Sequence, residues 1–205
     1  SASAMLDAHA HTHGTRALPR FHFDRADVIV GIDADFLGCW ISPVEFTAGY
    51  RQGRVPAGTP PRLSRHVQVE SVLSLTGSRA DERVVLSPAE VLGFVSHLAA
   101  RLAQRAAVSV LPPTVGLPDA GANAIDRLTE TLWEARGRSL VACGSQDIGV
   151  QAQCNLINQI LGNYGTTIDL ERPSFQRTGN DGDVAALVDE IRAGDVAALF
   201  VAGVN

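Results

Sequence analysis

The chain has 205 residues, of which 45% are hydrophobic and 19% charged, so it is long enough and apolar enough to bury a core. Its 17 basic and 22 acidic residues give a net charge of −5, and no basic run occurs, which argues against a nucleic-acid partner. No apolar run approaches the ~18 residues that a membrane-spanning helix needs, so we expect no direct membrane insertion. The three cysteines lack CxxC spacing and form neither a metal–thiolate motif nor a disulfide framework.

Residues 1–25 form a polar N-terminal segment in which His9, His11 and His13 alternate. On a strand this alternation would place the imidazoles on one face, where they could bind a metal. The simpler interpretation is a helix that ends at Gly14. We favour the helix, because no carboxylate or cysteine is placed to complete a metal shell.

Residues 26–118 are predicted to form a first α/β lobe. Val28–Ile32 is short, apolar and rich in β-branched residues, which is typical of a strand buried on both faces of a parallel sheet. Asp33 and Asp35 follow it in a polar loop. The lobe continues with a helix over residues 43–52 that Gly53 closes, a half-exposed strand over 66–72, and a helix that Ser87, Pro88 and Glu90 begin with a capping box.

Residues 119–205 are predicted to form a second α/β lobe, cut at its last loop. Its strands alternate with helices of ordinary length, which indicates βαβ units and a mostly parallel sheet with helices on both faces, a Rossmann-like arrangement. In chain order the elements are a helix over 119–135, a strand over 139–143, a helix from Asp147 that Gly162 stops, a strand over 166–168, a helix from Asp181 or Asp183 to Gly194, and a strand over 196–202. Val184, Leu187, Val188 and Ile191 would form the buried face of the last helix.

Three of these segments are expected to be neighbouring parallel strands: Val28–Ile32, residues 140–142 and residues 199–201. Each ends in a polar loop that contains glycine, and open α/β sheets bind ligands at the carboxyl ends of their strands. The chain also opens with Ser-Ala-Ser-Ala-Met and stops directly after an apolar run. We interpret the opening as a cloning remnant and the chain as a piece of a larger protein.

Two stretches resemble the molybdopterin oxidoreductase superfamily. Residues 155–167, NLINQILGNYGTT, are similar to its helix-turn A-x-N-x-x-L-G-N-x-G-x-T, and the final ALFVAGVN resembles its strand-loop G-x-N-P. A closer resemblance rests on ADVIVGIDADFLGCWISPVEF and QVESVLSLTGSRADER. These are similar to the molybdopterin-like domain of the iron–sulfur subunit of alternative complex III, a membrane-associated assembly that oxidises quinol.

The resemblance implies that the loops for a pterin nucleotide fall at three strand ends. Free N–H groups at Gly144 and Ser145 would suit a phosphate, whereas the two aspartates of the first loop would repel it. We therefore expect a degenerate cofactor site with no catalytic residue and no metal ligand. Its candidate residues are Gly31, Asp33, Asp35, Gly144, Ser145, Gln146, Gly203 and Asn205.

The resemblance further implies a function, partners and a location. The chain would be a structural, cofactor-free domain of an electron-transfer protein in a respiratory complex, inactive when isolated. Its partners would be other domains of the same chain, with iron–sulfur clusters among them, and the other subunits of a complex on the periplasmic face of the bacterial cytoplasmic membrane.

Two alternatives stay open. One is a genuine molybdopterin-guanine-dinucleotide-binding domain of a catalytic molybdoenzyme. The other is a free-standing nucleotide-binding α/β module, although the chain contains neither G-x-G-x-x-G nor G-x-x-x-x-G-K-[ST].

The two aspartates distinguish the first two interpretations. If the loop is degenerate, we expect both carboxylates to be satisfied locally, by backbone N–H groups of residues 36–38 or by Arg25. Replacing Asp33 by Asn would then lower stability.

Overall fold

The computed structural model describes residues 2–56, 61 and 63–203. Asn205 lies outside these residues. Within them the helices and strands, in chain order, are α1 (Ser3–His13), β1 (Leu18–Phe21), β2 (Val28–Ile32), α2 (Pro43–Arg54), β3 (Arg65–Glu70), β4 (Glu82–Val85), α3 (Pro88–Arg105), α4 (Asp119–Glu134), β5 (Ser139–Cys143), α5 (Ile148–Ile160), β6 (Ile168–Ser174) and α6 (Asp181–Ala193).

A four-stranded parallel sheet in the order β4-β3-β2-β5 forms the centre of the fold. Ile29 of β2 lies opposite His66 on one side and Leu140 on the other. The strands of both predicted lobes therefore belong to one sheet, and the predicted α/β class with a parallel sheet is confirmed.

Helices cover both faces of this sheet. The side chains of β2 point alternately to the two faces, so each face carries apolar residues that a helix can bury. Val28, Val30 and Ile32 pack with apolar residues of α3, α4 and α5. Ile29 packs on the opposite face with α1, α2 and an aromatic group that contains Phe23, Phe36 and Phe46. The predicted two-sided burial of this strand is thus confirmed.

Local helix signals are confirmed at several positions. Ser87 and Glu90 form the predicted capping box at the start of α3. The side chain of Asp147 accepts a hydrogen bond from the N–H of Val150 and begins α5. The three alternating histidines lie on the helix α1. Gly14 ends this helix with a φ of 70°.

The outer edge of β5 is closed by side chains. Val141 donates its N–H to Oδ1 of Asn158 at 3.2 Å and accepts from Nδ2 of the same side chain at 2.8 Å. The flanking carbonyls of this strand are also occupied, that of Ser139 by the Thr167 hydroxyl at 2.5 Å and that of Cys143 by the Gln151 amide at 2.9 Å. A further strand therefore finds no unpaired carbonyl at these three positions.

The predicted strand over residues 196–202 is wrong. Its residues have no regular structure, and Leu199, Phe200 and Val201 are 53%, 94% and 65% exposed. An apolar β-branched run forms a strand only where a neighbour offers backbone groups, and the edge of β5 offers none at its carbonyls.

The strand predicted over residues 166–168 differs in its position, and it does not belong to the parallel sheet. β6 begins at Ile168 and pairs antiparallel with β1, forming a separate two-stranded sheet. Thr166 and Thr167 instead form a turn, since their N–H groups donate to the carbonyl of Asn163.

The prediction of a buried face on α6 is wrong as well. No residue of α6 is buried, and Val184, Val188 and Ile191 are 60%, 38% and 44% exposed. No other element in the described part of the chain packs against this helix extensively. Its predicted end at Gly194 is confirmed by a φ of 82°.

Two elements of the first lobe differ in detail. β3 was expected to be half-exposed, but His66, Gln68 and Glu70 are all buried. A chain of polar contacts offsets their burial, as described below. Helix α2 continues past Gly53, which packs beside Ser64 instead of closing the helix.

None of the helices in the described ranges is long and apolar enough to cross a membrane.

Candidate functional site at the carboxyl ends of β2 and β5

A cavity of about 360 Å³ opens at the carboxyl ends of β2 and β5. The chain leaves β2 toward β3 on one side, whereas β5 lies on its other side, so the cavity sits at the point where the strand order reverses. Five candidate residues line it together: Asp33, Asp35, Gly144, Ser145 and Gln146. The structure thus brings candidate residues from two separate strand ends together in one loop cluster.

Of the other three candidates, Gly31 and Gly203 do not line this cavity. Gly31 lies within β2, where an added Cβ would be 2.0 Å from Oε1 of Gln68, so its role is to admit that side chain. Gly203 follows the exposed segment that forms no strand. Asn205 lies outside the described residues.

Asp33 combines an unusual backbone with an unfavourable charge. Its φ of 48° is in the left-handed region, and its N–H donates to the carbonyl of Val69 at 2.9 Å. Asp33 is an exposed residue, but partial desolvation of its carboxyl raises its pKa; a hydrogen bond from the Ser71 backbone opposes this rise, and the Glu70 carboxylate adds to it. The expected partners of Asp33, residues 36–38 or Arg25, are therefore wrong, since the hydrogen bond comes from the Ser71 backbone and Arg25 binds Thr166.

Asp35 is satisfied, but not by the expected partners. Its Oδ1 accepts from the N–H of Thr76 at 3.0 Å and from the Thr76 hydroxyl at 2.7 Å. Its Oδ2 lies 3.6 Å from the Cys39 thiol. The expected side-chain bonds from residues 36–38 are absent from the described contacts, because the N–H of Gly38 donates to the Asp35 carbonyl instead. Arg25 binds the carbonyl of Thr166 and not an aspartate.

The N–H groups predicted to bind phosphate are already in use. Gly144 donates to the carbonyl of Ile32 at 2.9 Å, which extends the pairing of β2 and β5. The N–H of Ser145 donates to the Cys143 thiol and counteracts the burial that raises the pKa of this thiol to about 12. The expectation of free donors at Gly144 and Ser145 is therefore wrong.

Gly144 is required by a close backbone approach. An added Cβ would be 2.0 Å from the carbonyl oxygen of Asp33. The two cavity loops therefore touch through their backbones, and a side chain at position 144 would separate them.

The N-terminus of α5 is also occupied by the protein itself. Asp147 supplies the carboxylate that accepts from Val150 at 2.9 Å, which is the position an anionic ligand would take at a helix start. The carboxylates of Asp33 and Asp35 line the cavity itself, and that of Asp147 caps the helix that follows it.

Buried polar residues of β3 form a chain of contacts that reaches the loop after β2. Tyr50 contacts Nδ1 of His66 at 3.1 Å, and Nε2 of His66 contacts Oε1 of Gln68 at 3.3 Å. Gln68 then donates to the Ala34 carbonyl at 3.4 Å, and Glu70 accepts from Arg83 at 2.6 Å. These contacts explain why alternating polar residues lie on a buried strand.

Sequence reasoning missed several lining or supporting residues, among them Thr76, Cys39, Trp40 and Arg177. Arg177 is the one cationic side chain among the described lining residues. No local pattern marks it, since it lies in an irregular segment after β6. Cys39 is exposed, but partial desolvation of its thiol together with the Asp35 carboxylate raises its pKa, so it is not an activated nucleophile.

The fold and the cavity define an α/β protein with an open parallel sheet and a candidate site at its strand-order reversal. Protein-family models and curated proteins yield no match to the chain. Two carboxylates in the lining, together with the bonded N–H of Gly144, disfavour an anionic ligand in this cavity, whereas Arg177 favours one.

Proposed function

We propose that this chain is a domain of a larger molybdopterin oxidoreductase-family electron-transfer protein, a respiratory-complex subunit, in which this domain holds no cofactor and acts as a scaffold. The proposal keeps the family suggested by the sequence motifs and assigns the domain a structural role. It includes the partners and the periplasmic, membrane-peripheral location that the resemblance implies.

The observation that carries the structural role is the chemistry of the cavity. A phosphate-binding edge needs free N–H groups and a positive helix end. Here the N–H of Gly144 is bonded to Ile32, and the carboxylate of Asp147 occupies the start of α5. Asp33 and Asp35 add two acidic groups to the lining.

The resemblance motif over residues 155–167 supports the same role. Asn158 holds the edge of β5, and Asn163 accepts from the Ser139 hydroxyl at 3.0 Å while donating to Asn158 at 2.8 Å. Asn155 donates to Thr12 of α1 at 2.9 Å. The three asparagines of the motif are thus engaged in internal contacts that hold α1, α5 and β5 together.

Exposed apolar residues support the proposed partners. Val184, Val188 and Ile191 lie on α6, and the apolar Leu199 and Phe200 follow it, all of them exposed. Contiguous exposed apolar surface is typical of regions that another domain or subunit covers.

Metal analysis of the complete parent protein tests the proposal. We expect protein purified from a molybdate-supplied host to contain iron but no stoichiometric molybdenum or tungsten, and its acid extract to contain no fluorescent oxidised pterin. About one molybdenum per chain, with pterin in the extract, would contradict the proposal.

A genuine dinucleotide-binding domain is the second candidate, and Arg177 is the observation that favours it. A guanidinium in the cavity offsets part of the repulsion between the aspartates and a phosphate. The same metal analysis decides between the two. A calorimetric titration of the 205-residue chain with GDP tests the third candidate, a free-standing nucleotide-binding module, for which we expect no binding.

A further inference from the structure

We infer that residues 175–180 form a strap that closes over the cavity between β2 and β5 and brings Arg177 to Asp33. The cavity is then covered by the chain itself. The inference builds on the proposed function, since a cavity covered by its own strap need hold no dinucleotide.

The strap is attached on both sides of the cavity mouth. At its start, Ser174 pairs with Leu18 of β1, and Nε2 of Gln176 lies 3.5 Å from a carboxylate oxygen of Glu45 in the first turn of α2. At its end, the Gly179 carbonyl accepts from Arg16 at 3.0 Å. The N–H of Asp181, directly after the strap, donates to Ser3 of α1 at 3.0 Å.

These attachments lie beside the walls of the cavity. Met5 of α1 lines one wall, and Trp40 and Ile41, just before α2, line another. The strap therefore runs from the α2 side to the α1 side, and Arg177 lies between the attached ends and lines the cavity. The part of the strap that carries the cation is thus the part without a described anchor.

Asp33 is the aspartate with which Arg177 would form an ion pair. Asp35 already accepts two hydrogen bonds from Thr76. Asp33 has a positive φ, and its carboxylate has no described salt bridge, although it lies beside the same cavity as Arg177. No ion pair within 4.0 Å joins Arg177 to either aspartate among the described contacts, so closure requires movement of this long side chain and its exposed loop.

Cys39 provides a native reporter of this closure. It lines the same cavity and is exposed, whereas Cys143 and Cys154 are buried. A closed strap shields the Cys39 thiol from a neutral reagent such as N-ethylmaleimide. An open strap exposes it.

The experiment compares labelling rates of the 205-residue chain and its variants near neutral pH. We expect Arg177→Gln and Arg177→Glu to be labelled about two- to fivefold faster than the unmodified chain, the range that loss of one surface ion pair supports. Arg177→Lys should be close to the unmodified chain. About 0.5 M NaCl should accelerate labelling of the unmodified chain but not of Arg177→Gln, because salt screens the pair.

The expected increase in labelling rate distinguishes opening of the strap from a simple effect of the Arg177 charge on the Cys39 thiol. Removing a cation near a thiol lowers its thiolate fraction and slows labelling, so only opening of the strap makes it faster. Arg20→Glu, an exposed change on β1, is the matched control and should leave the rate unchanged. Cys39→Ser should abolish native labelling, and a thermal melt of each variant confirms the fold.

Rates for Arg177→Gln and Arg177→Glu at or below that of the unmodified chain would overturn the inference. So would an equal acceleration by Arg20→Glu. Labelling involves no cofactor, and the metal analysis of the parent involves no strap variant. The inference and the proposed function can therefore fail separately.

Discussion

The side-chain amide of Asn158 pairs with the backbone of Val141 as a neighbouring strand would. Its Oδ1 accepts from the Val141 N–H at 3.2 Å, and its Nδ2 donates to the Val141 carbonyl at 2.8 Å. Asn158 is only 2% exposed, so these bonds are shielded from water. Asn158 thus occupies the centre of an edge that Thr167 and Gln151 close on either side, and this edge would otherwise be open to another strand.

Replacing Asn158 by Ala should destabilise the chain by about 2–4 kcal/mol, because the buried N–H and carbonyl of Val141 lose their partners. The urea midpoint is the measurement. Gln159→Ala, an exposed neighbour on the same helix, is the control and should change stability little. Equal stability of the two variants would show that the edge does not depend on Asn158.

Gly144→Ala should destabilise the chain by about 2–3 kcal/mol, because the new Cβ would clash with the Asp33 carbonyl and force the two cavity loops apart. Gly116→Ala is the matched control, since an added Cβ there meets nothing within 4 Å. Thermal melts of both variants measure the difference. A Gly144→Ala chain as stable as the control would contradict the close approach.

The two cavity aspartates should respond oppositely to replacement by Asn. Asp35→Asn weakens the charge-assisted bonds from Thr76 and should cost about 1–3 kcal/mol. Asp33→Asn removes a partly desolvated charge on an exposed residue and places Asn at a positive φ, which Asn tolerates well. Because solvent screens such a charge, we expect a gain below ~1 kcal/mol. This reverses the loss that the sequence alone suggested for Asp33.

Paired thermal melts measure both changes, with the Asp33→Asn, Asp35→Asn double variant reporting any coupling between the sites. A loss of stability in Asp33→Asn would mean that its carboxylate has a stabilising partner, which would restore the original expectation of local satisfaction.

Stability should fall as the pH is lowered below about 6.5. Burial lowers the pKa of His9 and of His66 from 6.5 to about 4. The unfolded chain therefore binds more protons than the folded chain between these values. The contribution of both histidines is complete above pH 6.5 and is lost progressively toward pH 4.

Urea midpoints between about pH 7 and pH 5 measure this loss in a range where the carboxylates, with ordinary pKa values near 4, contribute little. His66→Gln should flatten the curve, whereas His11→Gln, an exposed change on α1, should not. A curve that stays flat in the unmodified chain over this range would contradict the burial of neutral imidazoles.

Signals confined to a few neighbouring residues predicted much of the fold. The β-branched run of β2 ends where its polar loop begins, and the capping box of Ser87 and Glu90 lies within four residues. The glycines at positions 14 and 194 end helices because each adopts a positive φ. Such features depend on local conformation, which local sequence determines.

Features that depend on distant partners were predicted less well. Residues 196–202 have the composition of a buried strand, yet whether they pair depends on Asn158, Gln151 and Thr167 at the edge of β5. Likewise, Asp35 lies 41 positions from its partner Thr76. Because the carboxyl ends of parallel strands meet at one edge of a sheet, the sequence indicates where the cavity lies. It does not indicate which hydrogen bonds join the loops of the cavity.

The strand order also bears on how the protein folds. β2 pairs with β3 after an intervening segment of moderate length, but Ile29 pairs with Leu140 across about 110 residues. Closing such a long loop is entropically costly and slow, so we expect β2, β3 and β4 to assemble before β5 docks. The loop after β5 forms one side of the cavity, so we expect the cavity to form only when β5 pairs with β2, late in folding.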